Sequence, residues 1–265
     1  MITLTTDFGT RDGYVAAMKG VILGICPEAH IVDVSHDISP QNVAQGAFVL
    51  DNAVQYFPSD AVHVAVVDPG VGTSRQPIAL STSAGFFIGP DNGIFTHVLR
   101  RLGHMTGAEV PEGCSAVVLD KTEYWRHPVS NTFHGRDIFA PVAAHLAKGV
   151  PMEKLGSPID SLVSLKLSQP FVRGNHVEGR ILHVDSFGNL ISDIPASLID
   201  RDVVSVRIAD RTNSGLNETY GVGEGLMALV GSHGYLEIAW RNGSATQRLD
   251  ADVGETVVVE LKREA

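Results

Sequence analysis

The first half of the chain alternates between two hydrophobic periods. Short apolar runs predict β-strands at 3–6, 31–34, 62–67 and 86–89. The last two runs are nearly continuous, which is typical of strands buried on both faces. Between the runs, apolar residues recur every three or four positions and predict helices at 15–25, 43–57, 94–102 and 137–148. This alternation predicts an α/β layer sandwich with a mostly parallel sheet.

The pattern changes after Gln169 and Pro170, where the helical spacing disappears. Short apolar runs separated by Gly and Asn or Asp turns predict strands at 177–184, 190–193, 203–208, 226–230, 235–240 and 256–261. A segment of this kind forms a small antiparallel barrel or sandwich. We therefore expect two domains, an N-terminal α/β domain at 1–168 and a C-terminal β domain at 172–265.

Composition narrows the function classes. Of 265 residues, 44% are hydrophobic and 19% are charged, so the chain can bury a large core. The net charge is −10 and Lys and Arg form no cluster, which argues against nucleic acid as a partner. No apolar stretch approaches the roughly 20 residues of a membrane span, and no leader precedes the first predicted strand. We expect a cytoplasmic protein without a membrane partner, in which Cys26 and Cys114 are free thiols.

Acidic residues follow several of the predicted strands. Asp7, Asp68 and Asp91 each come directly after a strand of the predicted parallel sheet. In such sheets, ligands bind beyond the carboxyl ends of the strands. Each acid taken singly is as easily explained as a helix cap or a turn residue. The three together favour a polar site at this edge.

Two further residues could join that site. Arg75 follows Asp68 across a Gly-rich turn that allows the chain to double back, so a carboxylate and a guanidinium can meet. His134 comes just before the helix predicted to start near Asp137, a plausible seat for an acid or base. A lone histidine at this position is more often a capping or surface residue.

Several familiar chemistries lack their defining motifs. The chain has no H-E-x-x-H, no G-x-x-x-x-G-K-[ST] and no G-x-S-x-G. The glycine-rich stretch 221–225 lies among strands and is interpreted as a turn. A metal site built from His36, Asp37, Asp33 and Asp7 would need several strand ends to converge, so we expect no metal.

Six sequence strings, in order along nearly the whole chain, carry a family resemblance. They are Thr6-Asp7-Phe8-Gly9-Thr10, the stretch 68–75, Gly89-Pro90-Asp91-Asn92-Gly93, the stretch 132–141, Asp185-Ser186-Phe187-Gly188-Asn189 and the stretch 234–239. Together they resemble the S-adenosyl-L-methionine (SAM) hydroxide adenosyltransferase family. These are the adenosine-forming SAM hydrolases, which are relatives of the SAM-dependent fluorinase and chlorinase.

The resemblance implies a fold, an assembly and a reaction. It implies an N-terminal α/β domain, a C-terminal β-barrel, and a homotrimer that holds SAM between the N-domain of one subunit and the C-domain of the next. The implied reaction is attack of water or hydroxide on the ribose C5′ carbon of SAM, which gives adenosine and L-methionine. SAM is then the substrate, and no separate cofactor is expected.

The resemblance also implies roles for residues of the α/β domain. Asp68, Arg75 and His134 match the family's hydrolase triad, which positions and polarises the attacking water. One hypothesis is that Arg75 and a protonated His134 stabilise hydroxide while Asp68 orients it. Asp7 matches the carboxylate that binds the ribose hydroxyls.

Other matched residues lie in the barrel, at the methionine end of the implied site. Asp185 resembles the acid that meets the methionine ammonium, and Ser232 resembles the residue near its carboxylate. The arginine that follows this serine in the fluorinase is His233 here, so the manner in which the methionine carboxylate is held stays open.

At the adenine end, Asn189 resembles the amide that reads the edge of the base. Phe187 and Tyr220 are expected to pack on the adenine ring. The backbone from Asn242 to Ala245 is expected to close this end of the site.

Two departures separate the chain from the halogenases. A fluorinase tyrosine and a serine of its halide pocket correspond here to Asp68 and Gly135. A carboxylate beside the nucleophile repels a halide, whereas it can accept a proton from water. The sequence therefore predicts a SAM hydrolase. A SAM-dependent halogenase, a non-catalytic SAM or adenosine sensor and a metal-dependent hydrolase remain as alternatives.

Overall fold

The computed structural model describes residues 1–104, 109–200, 202–221 and 223–263. The chain forms two compact units, Met1–Lys166 and Leu167–Ala265. Residue 222 of the glycine-rich stretch lies outside the described residues. Within the described ranges, no helix is long and apolar enough to cross a membrane. Cys26 is buried, Cys114 is half-buried, and both are free thiols.

The first unit alternates strands with helices. Its strands are β1 (Ile2–Thr6), β2 (Ile31–Ser35), β3 (Val62–Val66), β4 (Pro77–Thr82), β5 (Gly85–Pro90), β6 (Ser115–Val118) and β7 (Ser157–Pro158). Its helices are α1 (Tyr14–Ile25), α2 (Val43–Val54), α3 (Thr96–Arg101) and α4 (Ala140–Ala147), with a π-helical turn at Gly135–Phe139 and 3₁₀ turns at Thr122–Tyr124 and Met152–Lys154.

These strands form one mixed sheet in the order β2-β1-β3-β5-β4-β6-β7. The first four are parallel, and β4, β6 and β7 join through antiparallel pairs. The predicted α/β class with a largely parallel sheet is confirmed. The sequence analysis missed β4, β6 and β7 because they are short or mix apolar with polar residues.

Alternate residues of β3 enter two different cores. Val62, Val64 and Val66 pack in the cluster that contains α1 and α4. Ala65 lies between Val64 and Val66, and it packs in the cluster that contains α2 and α3. The sheet is therefore covered on both faces, as its continuous apolar run predicted. Helix α2 ends at Val54 rather than at the predicted residue 57, where the following proline, Pro58, disfavours helical backbone.

The second unit is almost entirely β-structure. Its elements are β8 (Phe171–Arg173), β9 (His176–Val184), β10 (Leu190–Pro195), β11 (Val203–Ile208), β12 (Arg211–Ser214), β13 (Leu226–Val230), β14 (Tyr235–Trp240), β15 (Thr256–Leu261), a 3₁₀ turn at Ala196–Leu198 and the helix α5 (Ala245–Leu249).

All strand pairs in this unit are antiparallel, in the order β12-β11-β15-β9-β10-β14-β13, and β8 pairs with β9. Asn217 bridges the two end strands, since its side chain accepts from the Ala228 amide of β13 and from the Asn213 side chain of β12. The sheet is thus a nearly closed barrel, which confirms the predicted barrel-like class.

Two strands and one helix of this unit were not predicted. Strands β8 and β12 are mostly exposed, so their sequences carry no alternating apolar pattern. Helix α5 was not predicted, because it is too short to show a helical spacing of apolar residues. This helix has only five residues, and its start is marked by Ser244, whose side chain accepts from the Gln247 amide.

Candidate active site

A cavity of about 370 Å³ opens at the carboxyl ends of β1 and β3 in the α/β unit. Asp7, which follows β1, and Asp68, which follows β3, both line it. His134 reaches the same cavity from the start of the π-helical turn. The third acid of the predicted edge, Asp91, is not among the lining residues. Its carboxylate accepts from the backbone amide of Val163 at 2.8 Å instead, so it braces a loop.

Asp68 and Arg75 form a bidentate ion pair beside the cavity. Arg75 Nε donates to Asp68 Oδ1 at 3.0 Å, and Arg75 Nη2 donates to Oδ2. The Asp68 side chain is only 5% exposed and the Arg75 side chain only 7%, so bulk water hardly screens the pair. The turn between them depends on Gly72, which has a φ of +76° and packs where a Cβ would overlap the carbonyl oxygen of Asn131.

The pair extends to His134. Arg75 Nη2 lies 3.1 Å from His134 Nδ1. A guanidinium can only donate, so Nδ1 is the acceptor and the imidazole proton is on Nε2. Burial and the charge of Arg75 lower the pKa of His134 from its ordinary value of 6.5. The geometry therefore favours a neutral His134, against the hypothesis of a protonated one.

The electrostatics of Asp68 differ from those of a surface carboxylate. Burial raises its pKa, while the charge and hydrogen bonds of Arg75 act in the opposite direction. Each carboxylate oxygen has two lone-pair positions, so both can accept a further hydrogen bond despite the pairing with Arg75. Asp68 is thus a carboxylate that can take a proton from a bound water.

The helix that presents His134 begins irregularly. Residues 135–139 form a π-helical turn before α4, rather than the regular helix predicted from Asp137. Pro141 has no N–H, so it cannot bond the carbonyl of Asp137, which accepts from the Arg126 amide at 2.8 Å. A Cβ at Gly135 would lie 3.2 Å from the Phe8 ring and 3.3 Å from Met18 Sδ, so a larger residue here would have to displace these side chains slightly.

Asp137 is a site-supporting residue for which the sequence analysis found no role. Its carboxylate is fully buried and accepts from Arg136 Nε at 2.7 Å, Arg126 Nη1 at 3.1 Å and the Ser130 amide at 2.9 Å. These bonds lower the pKa of Asp137 despite its burial. The carboxylate thereby ties the 126–132 segment to the helix that carries His134.

Asp7 is held by a local network. Its Oδ2 accepts from the Gln41 amide at 2.8 Å, which leaves Oδ1 for a ligand. The adjacent Thr6 hydroxyl lies 2.8 Å from His36 Nδ1, and His36 Nε2 lies 3.0 Å from Asp33. Among the residues that the structure describes, no group of three or more His, Cys, Asp or Glu side chains could hold a metal ion.

The barrel unit gathers its own predicted residues. Asp185 Oδ1 accepts from the amides of Phe187 and Asn189, and Oδ2 accepts from the Asn189 side chain at 3.0 Å. Phe187 is 77% exposed. This loop packs on the turn before α5, because Gly188 lies where a Cβ would overlap Ser244. Its carbonyl also accepts from the Thr246 amide.

The predicted adenine-end residues therefore lie together. Asn242 adopts a left-handed backbone with a φ of +54°, in the turn that leads to α5. The Ala245 side chain is buried in the barrel core, so only its backbone can serve a ligand. Asn189 is also buried, and its amide nitrogen donates to Asp185 Oδ2.

Tyr220 and Ser232 lie in the same unit as Asp185, and Tyr220 is close enough to feel its charge. Ser232 is exposed in the turn between β13 and β14. The Tyr220 ring is half exposed, but its hydroxyl donates to Glu237 Oε1 at 2.5 Å. Burial, this hydrogen bond and the charges of Glu237 and Asp185 all raise the pKa of Tyr220. Glu237 is a second residue that the sequence analysis missed, because it lies within an apolar strand.

Comparison with known proteins defines the class. The family model for the SAM hydroxide adenosyltransferase N-terminal domain matches residues 2–156, and the model for the C-terminal domain matches 179–258. A protein of Salinispora tropica named (R)-S-adenosyl-L-methionine hydrolase is 39% identical over 97% of each chain. A fluorinase of Nocardia brasiliensis is 28% identical over 98% of this chain and 97% of its own.

A solved structure agrees. The crystal structure of an uncharacterized conserved protein from Thermotoga maritima superimposes with a TM-score of 0.89 at 37% identity, and covers 98% of this chain and 99% of its own. The chain belongs to the SAM hydroxide adenosyltransferase family.

Proposed function

We propose that this protein hydrolyses SAM to adenosine and L-methionine by attack of water at the ribose C5′ carbon. The observation that carries the proposal is the buried Asp68–Arg75–His134 constellation beside a cavity that Asp7 also lines. Two relatives support the same activity: they match this chain over nearly its whole length and are named (R)-S-adenosyl-L-methionine hydrolase.

In this proposal, the three residues of the constellation divide the work on the nucleophile. Asp68 accepts a proton from the attacking water, because burial raises the pKa of this carboxyl. Arg75 holds Asp68 and His134 in place, and the neutral His134 offers its Nε2–H as a donor. The leaving group is a neutral thioether departing from a sulfonium, so it needs no acid and no cofactor. Catalysis then consists largely of aligning water, C5′ and sulfur.

Charge distinguishes hydrolysis from halogenation at this site. Asp68 is 5% exposed at the side chain, and a buried carboxylate repels an approaching halide strongly. Water is neutral and donates a proton to the same group. We therefore expect water rather than chloride or fluoride to be the nucleophile.

The binding roles follow the family pattern. We propose that Asp7 binds the ribose hydroxyls, Asp185 the methionine ammonium and Ser232 the methionine carboxylate. Asn189 reads the adenine edge, with Phe187 and Tyr220 against the ring and the backbone of Asn242 to Ala245 closing that end. We further propose a homotrimer that acts in the cytoplasm, where SAM is used.

Oxygen-18 labelling tests the reaction. The purified protein is incubated with SAM in oxygen-18 water, and the nucleoside is analysed by mass spectrometry. We expect methionine and adenosine with one heavy oxygen, and no 5′-chloro-5′-deoxyadenosine when chloride is added. A halogenated product would identify a halogenase. Tight SAM binding without any product would identify a sensor, and loss of turnover with a chelator would identify a metal enzyme.

Mixed protomers test the shared site. We expect little turnover from Asp68→Asn, and low activity from Asp185→Ala at SAM concentrations below its raised KM, and the two proteins are unfolded and refolded together. If each site takes Asp68 from one subunit and Asp185 from the next, about a quarter of the sites in a random mixture regain both residues. The formation of mixed oligomers is checked first. If their activity is then no higher than the sum of the activities of the separate variants, the shared site is contradicted.

A further inference from the structure

Glu237 is a buried acid that the proposed chemistry does not use. It lies on β14 opposite Leu229 of β13 and Ile191 of β10, and it is 3% exposed. Glutamate is almost never fully buried unless it is paired. Here one oxygen accepts from the Tyr220 hydroxyl at 2.5 Å, and the other lies 3.1 Å from His233 Nε2. The carboxylate thus joins two separate loops.

The protonation state of His233 follows from its contacts. The Tyr235 amide, which can only donate, lies 3.2 Å from His233 Nδ1. Nδ1 is therefore the acceptor, and the ring proton is on Nε2, from which it is donated to Glu237. Both ring nitrogens are engaged within the protein. His233 is consequently a structural element of its turn, and is not a free donor for a substrate carboxylate.

Close packing reinforces this arrangement. A Cβ on Gly231 would lie about 2.4 Å from His233 Nε2 and 2.6 Å from Glu237 Oε2. The imidazole and the carboxylate therefore fill the space under the turn that begins at Gly231. The turn is closed by the Gly234 amide, which donates to the Gly231 carbonyl at 2.9 Å. Ser232 lies at its exposed tip.

We propose that Glu237 is a positioning residue that holds Tyr220 and the 231–234 turn, and through them Ser232, in the arrangement that binds SAM. This inference rests on the proposed function for the identity of the ligand. Anchoring the Tyr220 hydroxyl sets the direction of a half-exposed ring, and anchoring His233 sets the turn. Such pre-organisation lowers the entropy that is lost when a ligand binds.

The test compares Glu237→Gln with Tyr220→Phe, His233→Gln and the pair Glu237→Gln/Tyr220→Phe. Glutamine is isosteric, but its amide group cannot accept from both donors. We expect KM for SAM to rise about five- to tenfold, the factor for one lost hydrogen bond, with kcat within about twofold. The KM of the double variant should be about equal to that of the single variant with the higher KM, because both changes remove the same contact.

A matched control separates positioning from folding. Asp193→Ala removes another buried acid of the barrel, whose Oδ1 accepts from the Arg180 amide. It should lower the thermal midpoint about as much as Glu237→Gln while leaving KM unchanged. An equal rise of KM in both variants would show that Glu237 has only a structural role.

Two readouts do not depend on turnover. Nitrogen-15 NMR should show His233 as the Nε2–H tautomer in the unmodified protein, with loss of that fixed state in Glu237→Gln. Calorimetry should show weaker SAM binding by the same five- to tenfold. An Nδ1–H tautomer, or unchanged SAM affinity in Glu237→Gln, would overturn the inference. Absence of turnover in the unmodified protein with these readouts intact would overturn only the proposed hydrolysis.

Discussion

Asp68 in the α/β unit and the acids Asp185 and Glu237 in the barrel are held by different kinds of partner. In the α/β unit, Asp68 is compensated by the bidentate guanidinium of Arg75. In the barrel, Asp185 and Glu237 are held by backbone amides, an asparagine, a tyrosine and a histidine. Among the ion pairs of the described residues, neither barrel acid meets a lysine or an arginine.

This difference in charge compensation suggests separate contributions of the two units to SAM affinity and to rate. The guanidinium of Arg75 holds the Asp68 carboxylate where it can accept a proton from water, whereas an acid without a cationic partner attracts a cation. SAM carries two positive charges, at its sulfonium and its ammonium, against one carboxylate. We infer that the barrel acids mainly supply affinity and that the pair in the α/β unit mainly supplies rate. Variants in the two regions should therefore separate kcat from KM.

The largest effect should come from breaking the compensated pair. Asp68→Asn removes the proton acceptor and leaves the charge of Arg75 buried without a partner. We expect kcat to fall by about 10²–10⁴-fold, the usual contribution of a general base, while SAM still binds. Single-turnover rates and calorimetric affinities measure the two effects separately. An unchanged kcat would remove Asp68 from the mechanism.

A smaller effect, of the other kind, should follow a change in the barrel. Asp185→Asn keeps an oxygen to cap its loop but removes the negative charge that meets the ammonium. We expect KM for SAM to rise about tenfold, as for loss of a charged hydrogen bond, with kcat nearly constant. Adenosine, which has no ammonium, should bind as before. A fall in kcat with constant KM would contradict the division of roles.

The smallest effect concerns pH. Burial and Arg75 lower the pKa of His134, so this residue is neutral at pH 7 and takes up a proton only below its ordinary value of 6.5. Protonation of His134 would place a hydrogen on Nδ1, so two donors, Nδ1–H and the Arg75 guanidinium, would face each other. We therefore expect kcat/KM to be constant between pH 6.5 and 8 and to decline several-fold at lower pH, as followed by rate assays. A decline with its midpoint above 6.5 would contradict a neutral, buried His134.

The same titration affects stability. The unfolded chain binds a proton at His134 near pH 6.5, whereas the folded chain binds it only at lower pH. Because the unfolded state then holds more protons, the contribution of His134 to the free energy of unfolding is present above pH 6.5 and is lost as the pH falls. The thermal midpoint of His134→Gln should therefore lie further below that of the native protein at pH 7 than at pH 5.

Much of the fold could be predicted from the hydrophobic pattern. Strands β11, β13, β14 and β15 begin and end at the predicted residues, because β11 and β15 alternate buried with less buried residues and β13 and β14 are short continuous buried runs. Strands β8 and β12 could not be found, since they lie at exposed positions where packing imposes no pattern. The π-helical turn before α4 was also missed, because it depends on the contact between Arg126 and the carbonyl of Asp137.

The sequence alone determined the two-part architecture, the family and the acids at the strand ends, because these depend on local periodicity and on short ordered motifs. Only the tertiary structure decided which of those acids is paired with an arginine and which ring nitrogen of His134 carries the proton. It alone also showed that Glu237 joins two loops. Such properties arise from burial and from hydrogen bonds between residues far apart in the chain. Arg75 contacts both Asp68, which is 7 residues away, and His134, which is 59 residues away, and no local pattern records the second contact.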